Sequence, residues 1–243
     1  MDSKELSIVV VTFKSESRIF NCLDSIPDNV QVIIVENSNN KKFKNKIEEK
    51  YENVKCILTG SNKGYAIANN IGLNLVRTRY GLVINPDTIL NENAVKNFLI
   101  SANKFQDFWL IGPANDQSTN NDFKENDTKE VNNLKGFAIF FNLSKFNNKF
   151  FDENYFLYFE EIDLCKKVKK NNGKIYLDKN IIIKHEGGSS VDKTNKIELE
   201  KNRNWHWMWS TFYFHKKYRG FLLAFIFIFP KLKYVFTVNE SIS

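Results

Sequence analysis

The sequence predicts an α/β protein built on one open, mostly parallel sheet flanked by helices, and three observations carry that prediction. Short β-branched runs alternate with segments of helical periodicity through the first part of the chain. Polar or acidic residues recur where those runs end, which is where open α/β sheets bind ligands. At 243 residues, 42% hydrophobic and 26% charged, the chain suits one large core, and no Pro/Ser-rich linker divides it.

The elements follow in order. "LSIVVVTF" reads as a strand, and "SRIFNCLDSI" carries Ile19, Phe20, Leu23 and Ile26 at helical spacing. "VQVIIVEN" is a second strand, "KFKNKIEEKYE" a charged helix and "VKCILTG" a third strand. "YAIANNIGLNLV" predicts a helix whose Ala66 and Ala68 permit close packing, and "GLVINPD" a fourth strand. A further helix is expected over "ENAVKNFLISANKF". Repeated βα units imply parallel pairing with right-handed crossovers. The pattern then changes. "NDQSTNNDFKENDTKEVNN" reads as a surface loop and "LKGFAIFFN" as a strand. "FDENYFLYFEEIDLCKKVKKNNGKIYL" reads as an aromatic cluster, a helix and a glycine turn into a strand. "NIIIKHEGGSS" reads as a separate strand ending at His185, and "KNRNWHWMWSTFYFHKKY" as an aromatic helix.

The net charge of +7 suits anionic partners without choosing among them. Cys22, Cys56 and Cys165 lie far apart in apolar patterns, so reduced thiols are expected and no metal spacing or disulfide framework is visible. The chain has no GxGxxG, no GxxxxGK[ST] and no GxSxG, which argues against dinucleotide, P-loop and hydrolase-elbow chemistry. A nucleic-acid partner is not expected.

Four polar elements follow the first four strands: Thr12-Phe13, Glu36-Asn37-Ser38, "SNKGYAIANN" with Asn62, Gly64, Asn69 and Asn70, and Asn85-Pro86-Asp87. Capping and turn formation account for any one of them, but not easily for their recurrence. In "YFEEIDL", Glu160, Glu161 and Asp163 favour a helix N-terminus. Glu160 and Glu161 also follow Tyr155, Phe156, Tyr158 and Phe159, apolar surroundings that raise a carboxyl pKa and suit a general base. His185 ends its strand before Glu186-Gly187-Gly188, and imidazole with carboxylate suits Mn²⁺ or a similar ion.

Taken in order, "SIVVVTFKSESRIFNCLDSI", "VIIVENSN", "SNKGYAIANNIGL", "INPDT", "GFAIFF", "FDENYFLYFEEIDLCKKVKKNNGKIY" and "KHEGGSS" resemble the inverting family 2 glycosyltransferases of the GT-A fold, nearest their bacterial rhamnosyl- and galactofuranosyltransferase-like group. The resemblance implies transfer of a sugar from a nucleoside diphosphate, a UDP- or dTDP-sugar, to a hydroxyl of a glycan or lipid-linked glycan, with Mg²⁺ or Mn²⁺ bound. By position, Val11, Thr12, Phe13, Glu36 and Asn37 would face the nucleobase and ribose. Asn62 and Gly64 would hold the ribose and diphosphate side. Asn85-Pro86-Asp87 would be the DXD-type element, with Asp87 and His185 on the metal. Glu161 would be the base and Glu160 would position the acceptor, although the longer Glu side chain leaves the choice between them open. Glu36 and Glu161 stand where Asp is usual, and Asn85 replaces the first acid of DXD. The alternative is a non-catalytic sugar-nucleotide-binding partner subunit. A nucleotidyltransferase would call for a glycine-rich basic loop after strand one, and "TFKSESRIF" has no glycine.

The expected organisation is a catalytic domain over 1–218 and an apolar, basic segment over 219–243. "GFLLAFIFIFPKLKYVF" is too short to span a bilayer and is broken by Pro230, with Lys216, Lys217, Arg219, Lys231 and Lys233 around it. It reads equally as an interfacial helix on an anionic membrane or as a core helix or dimer contact. The expected location is the cytoplasm, peripheral on the inner membrane face.

Overall fold

A computed structural model of the chain describes residues 3–115, 128–185 and 196–236. Four strands run parallel: β1 (Leu6–Thr12), β2 (Gln31–Glu36), β3 (Val54–Leu58) and β4 (Tyr80–Ile84). Between them lie α1 (Glu16–Asp24), α2 (Lys41–Lys50) and α3 (Tyr65–Leu75). β5 (Thr88–Leu90), α4 (Ala94–Lys104), β6 (Phe108–Asn115), β7 (Thr128–Glu130) and β8 (Ala138–Asn142) follow. Then come α5 (Glu160–Lys170), β9 (Lys174–His185), α6 (Lys196–Arg219) and α7 (Phe221–Phe236). The sheet order is β3-β2-β1-β4-β8-β6-β9-β5, with β7 also paired to β9. β8 is antiparallel to β4 and β6, whereas β6 and β9 are parallel.

Alternation along each strand splits the apolar residues between two cores. Ile8 and Val10 of β1 face α1, α2 and α4 through Ile19, Cys22, Phe43, Ile47 and Phe98. Val9 and Val11 face the layer of α3, α5 and α6 through Ala66, Ala68, Leu164 and Phe214. Burying a Val or Ile side chain contributes about 1.5–3 kcal/mol. A Cβ on Gly72 of α3 would collide with Val9 Cγ1, so that glycine sets how closely α3 approaches β1. The three cysteines are free and buried.

Three expectations are corrected. The segment expected as a loop over 115–133 opens with the last residue of β6 and contains β7; its residues 116–127 lie outside the described residues. β6 itself was not expected, because Gly112-Pro113 breaks its apolar run. The strand tolerates Pro113 at a register shift between Pro113 and Ala114. The two strands expected after α5 are one 12-residue strand, β9. Its Asp178 and Asn180 form an irregularity inside the strand, where Asp178 Oδ1 accepts from the Asn180 amide at 2.9 Å and the Ser101 hydroxyl donates to Oδ2.

Candidate active site

The chain leaves β3 at one edge and returns on the far side of β1 to form β4, so the order in which parallel strands are added reverses beside β1. That switch point is where open α/β sheets present ligand sites. Thr12 and Glu36 lie level there. The Thr12 hydroxyl is buried without a hydrogen-bond partner. The Glu36 carboxylate is turned onto its own loop, where Oε1 accepts from the Ser38 amide and hydroxyl and Oε2 from the Asn40 amide at 2.7 Å. Asn37 organises the next loop. Its Nδ2 donates to Asn62 Oδ1 at 2.8 Å and to Gly64 O, and its Oδ1 accepts from the Lys63 amide at 2.9 Å. Asn62 Oδ1 also accepts from the Gly64 amide. Gly64 has φ +81°, and a Cβ there would sit 2.6 Å from Phe156 O. The Tyr65 amide donates to that same carbonyl at 2.7 Å.

After β4, the Asn85 carbonyl accepts from the Thr88 amide and hydroxyl, closing a tight turn that carries Asp87. β5 pairs with the end of β9 and sets Thr88 against His185. Asp87 Oδ1 and His185 Nε2 are consequently 3.4 Å apart, with the carboxylate only 1% exposed. The contact lacks hydrogen-bond geometry, so Oδ1 is buried without a partner. The His185 ring stacks on Phe137, centroids 4.7 Å apart. An unsatisfied carboxylate oxygen and an imidazole nitrogen converging on one point fit a hard divalent cation. Among the described residues no third His, Cys, Asp or Glu joins them, so further ligands would come from the substrate or water. Glu186, Gly187 and Gly188 lie outside the described residues.

The acid pair opens α5 behind two successive residues in the left-handed region, Tyr158 (φ 71°) and Phe159 (φ 70°). Such conformations cost of order 1–3 kcal/mol each in side-chain-bearing residues and persist only when the surroundings hold them. Here α6 holds them. Ser210 donates to Leu157 O at 2.8 Å, Arg203 bonds the Tyr158 hydroxyl, and His206 stacks on Phe156 at 4.2 Å. Glu160 is buried with Oε2 unpartnered, and burial, then the neighbouring Glu161, pushes its carboxyl up to about 8. Burial also raises Glu161, which is the more exposed of the two. Asp163, in the same turn, has a different task. Buried at 1% exposure, it accepts from Lys217 at 2.8 Å and from the hydroxyls of Tyr155 and Tyr218, anchoring α6.

One residue that sequence reasoning missed joins the two clusters. The Tyr65 hydroxyl lies 2.9 Å from Asn85 Oδ1 and 3.1 Å from Gly136 O. A Cβ on Gly136 would meet the Glu161 side chain at 3.4 Å, and Gly136 precedes Phe137, the platform for His185. Burial and then Glu160 push the Tyr65 phenol far upward, so it stays a hydrogen-bond donor. Tyr65 stood inside "SNKGYAIANN", but its partners are a side chain and a backbone carbonyl distant in sequence, which no local pattern encodes.

The turn at Asp87 and the acid pair are thus linked through Tyr65 and Gly136, and residues 7–165 match the profile of Glycosyl transferase family 2. The chain belongs to that family. Among similar proteins, the low-salt glycan biosynthesis hexosyltransferase Agl10 of Haloferax volcanii is 25% identical over 195 residues, 69% of this chain and 62% of that protein. The chain therefore spans under two thirds of the length of that relative. Solved structures show the same GT-A architecture. The mannosyltransferase PcManGT from Pyrobaculum calidifontis, in complex with GDP-Man and Mn²⁺, aligns at TM-score 0.64 and 12% identity over 96% of this chain and 72% of that one. TarS 1–349 of S. aureus, in complex with UDP-GlcNAc, aligns at 0.62 and 18% identity over 95% and 81%. This family 2 glycosyltransferase shares with them the mixed sheet flanked by helices.

Proposed function

We propose that the protein transfers a sugar from a nucleoside diphosphate, a UDP- or dTDP-sugar, to a hydroxyl of a glycan or lipid-linked glycan, with inversion at the anomeric carbon. The observation that carries this reading is the joining, through Tyr65 and Gly136, of an unsatisfied buried carboxylate beside His185 to a desolvated acid pair. Val11, Thr12, Phe13, Glu36 and Asn37 line the nucleoside side, with Glu36 shaping the wall through its loop bonds. Asn62, Gly64 and Asn85 bound the ribose and diphosphate. Asp87 and His185 would hold Mg²⁺ or Mn²⁺, which neutralises charge on a departing diphosphate.

The acid pair divides its work by burial. Burial raises both carboxyls, and Glu160, the more deeply buried, reaches about 8 and keeps its proton at neutral pH, so the more exposed Glu161 is assigned as the base. Glu160 can then donate a hydrogen bond to the acceptor while Glu161 accepts the acceptor hydroxyl's proton. The hydroxyl oxygen forms a bond to the anomeric carbon as the bond to diphosphate breaks, and the diphosphate leaves with the electron pair. One displacement on the face opposite the leaving group inverts the centre and needs one base.

Incubation with UDP-, dTDP- and GDP-sugars and Mn²⁺ tests this. Thermal shift should rise with one donor, because a ligand that binds the folded state raises apparent stability. NMR of the product should show inverted anomeric configuration. Retained configuration would remove the single-displacement assignment, and absence of any donor binding would remove the transferase reading.

A further inference from the structure

α6 presents two opposed faces. Arg203, His206, Ser210 and Phe214 recur at helical spacing and grip residues 156–159, the loop that leads into Glu160 and Glu161. Across the helix, Trp205 and Trp209 are half exposed. From Trp209 a chain of rings runs through Phe212 to Phe221 and Phe225 of α7, with centroids 5.2–5.9 Å apart. α7 packs back on α6 after Gly220 (φ 93°), burying Ala224, while Leu222 is 81% and Phe229 76% exposed and Ile226 stands between them. The strip is therefore continuous, aromatic and open. Exposed Lys216 and Arg219 border it at the junction of the helices, and α7 carries Lys231 and Lys233 near its far end. No helix among the described residues is long and apolar enough to cross a membrane.

We propose that the α6–α7 hairpin docks on an anionic lipid bilayer, lying in the interface rather than spanning it, and thereby holds the acid loop at the membrane surface. Charge and composition favour a bilayer over a second protein copy. Protein interfaces are depleted of lysine around their apolar cores, whereas tryptophan with bordering Lys and Arg marks a membrane-interface helix. The +7 net charge adds long-range attraction to anionic lipid. Resting on the transferase reading, this identifies the acceptor as lipid-linked: a hydroxyl presented at the bilayer would meet Glu161 without the enzyme leaving it.

The full chain is sedimented with vesicles of phosphatidylcholine alone or mixed with phosphatidylglycerol. The wild type should partition onto the mixed vesicles, and Leu222→Asp with Phe229→Asp should lower partitioning at least about tenfold. Lys216→Glu with Arg219→Glu should lower it roughly tenfold on mixed vesicles alone. All four positions are exposed, Arg219 also lies over the Phe227 ring, and a thermal melt of each variant checks that folding is preserved. Wild-type protein left in the supernatant, or equal binding to both vesicles, overturns the proposal. So does a dimer in light scattering that the aspartate pair dissolves. Donor-induced thermal shift on the same samples without vesicles reports the transferase reading separately. Donor binding without vesicle binding removes only the docking, and the reverse result removes only the transfer.

Discussion

The half of the molecule that we propose faces the donor and the half that we propose faces the acceptor reach rigidity by different means. The donor side is a parallel βα frame whose strand ends are tied by neutral amides and turn bonds: Asn37 to Asn62 and Lys63, and Asn85 to Thr88. Of its two strand-end carboxylates, Glu36 is tied to its own loop and Asp87 keeps an unsatisfied oxygen. The acceptor side presents its acids from a strained left-handed pair, desolvates them by burial, and relies on a separate helix for support. A diphosphate brings its own charge and needs a prepared cradle. A hydroxyl brings none and needs a base whose pKa has been moved by its surroundings.

That contrast can be broken at either side. The largest effect is expected at Glu161→Gln, which should reduce transfer by roughly 10²–10⁴-fold while leaving donor affinity unchanged by calorimetry. Lost donor affinity would mean the two sides are not separate. Asp87→Ala should do the reverse, removing at least about tenfold in Mn²⁺-dependent nucleotide affinity, a loss of about 1.4 kcal/mol or more. Equal Mn²⁺ dependence in variant and wild type would reduce the Asp87 turn to a structural feature. Tyr65→Phe takes the donor from both Asn85 and Gly136 and should lower kcat roughly tenfold with little change in donor affinity. A change in donor affinity alone would place Tyr65 with the nucleotide cradle.

Two smaller effects concern the support of the acceptor side. Lys217→Met leaves the buried Asp163 carboxylate with only tyrosine donors and should cost about 2 kcal/mol, since charge-assisted hydrogen bonds carry about 1.5–3 kcal/mol. The melting temperature should fall by roughly 4–8 °C. An unchanged melt would show that α6 is held by its contacts to the 156–159 loop rather than by this ion pair. Glu160 has its folded pKa raised above the unfolded value of 4.5, so its contribution is fully present below that pH and is lost as pH rises through about 8. Glu160→Gln should therefore gain stability relative to wild type between pH 5 and pH 9 in denaturant titrations, a range that brackets this rise. A constant difference would show that the carboxyl is solvated.

Much of this was legible in the sequence for physical reasons. The first four strands and their helices announce themselves by period, and their polar termini fall together because parallel strands end on one edge. The strand-end residues from Thr12 to Asp87 and the acid pair are local signals, and His185 was visible as a histidine closing an apolar run. The missed strands lack such signals. β5 has three residues, too few for a period, and β6 contains a Gly-Pro pair that reads as a break. β9 is interrupted by Asp178 and Asn180, whose polarity is satisfied within the sheet and at Ser101 rather than in a turn. Tyr65, Gly136 and Phe137 were invisible as site residues because they act through contacts made only after folding. Asp163 was visible, but as a helix-terminus acid; its partners Lys217 and Tyr218 lie on a helix 54 and 55 residues away.

The bare Cα of Gly64 carries a consequence for recombination. The loop after β3 meets Phe156 backbone to backbone, at a distance that admits no side chain. Residues from either side cannot be exchanged with a relative's as independent cassettes. A chimera that imports a new nucleotide loop with alanine at 64 would force Phe156 outward and tilt the segment that presents Glu160. Altering donor choice by grafting therefore requires the 151–159 loop to travel with residues 59–65 as a single inherited block.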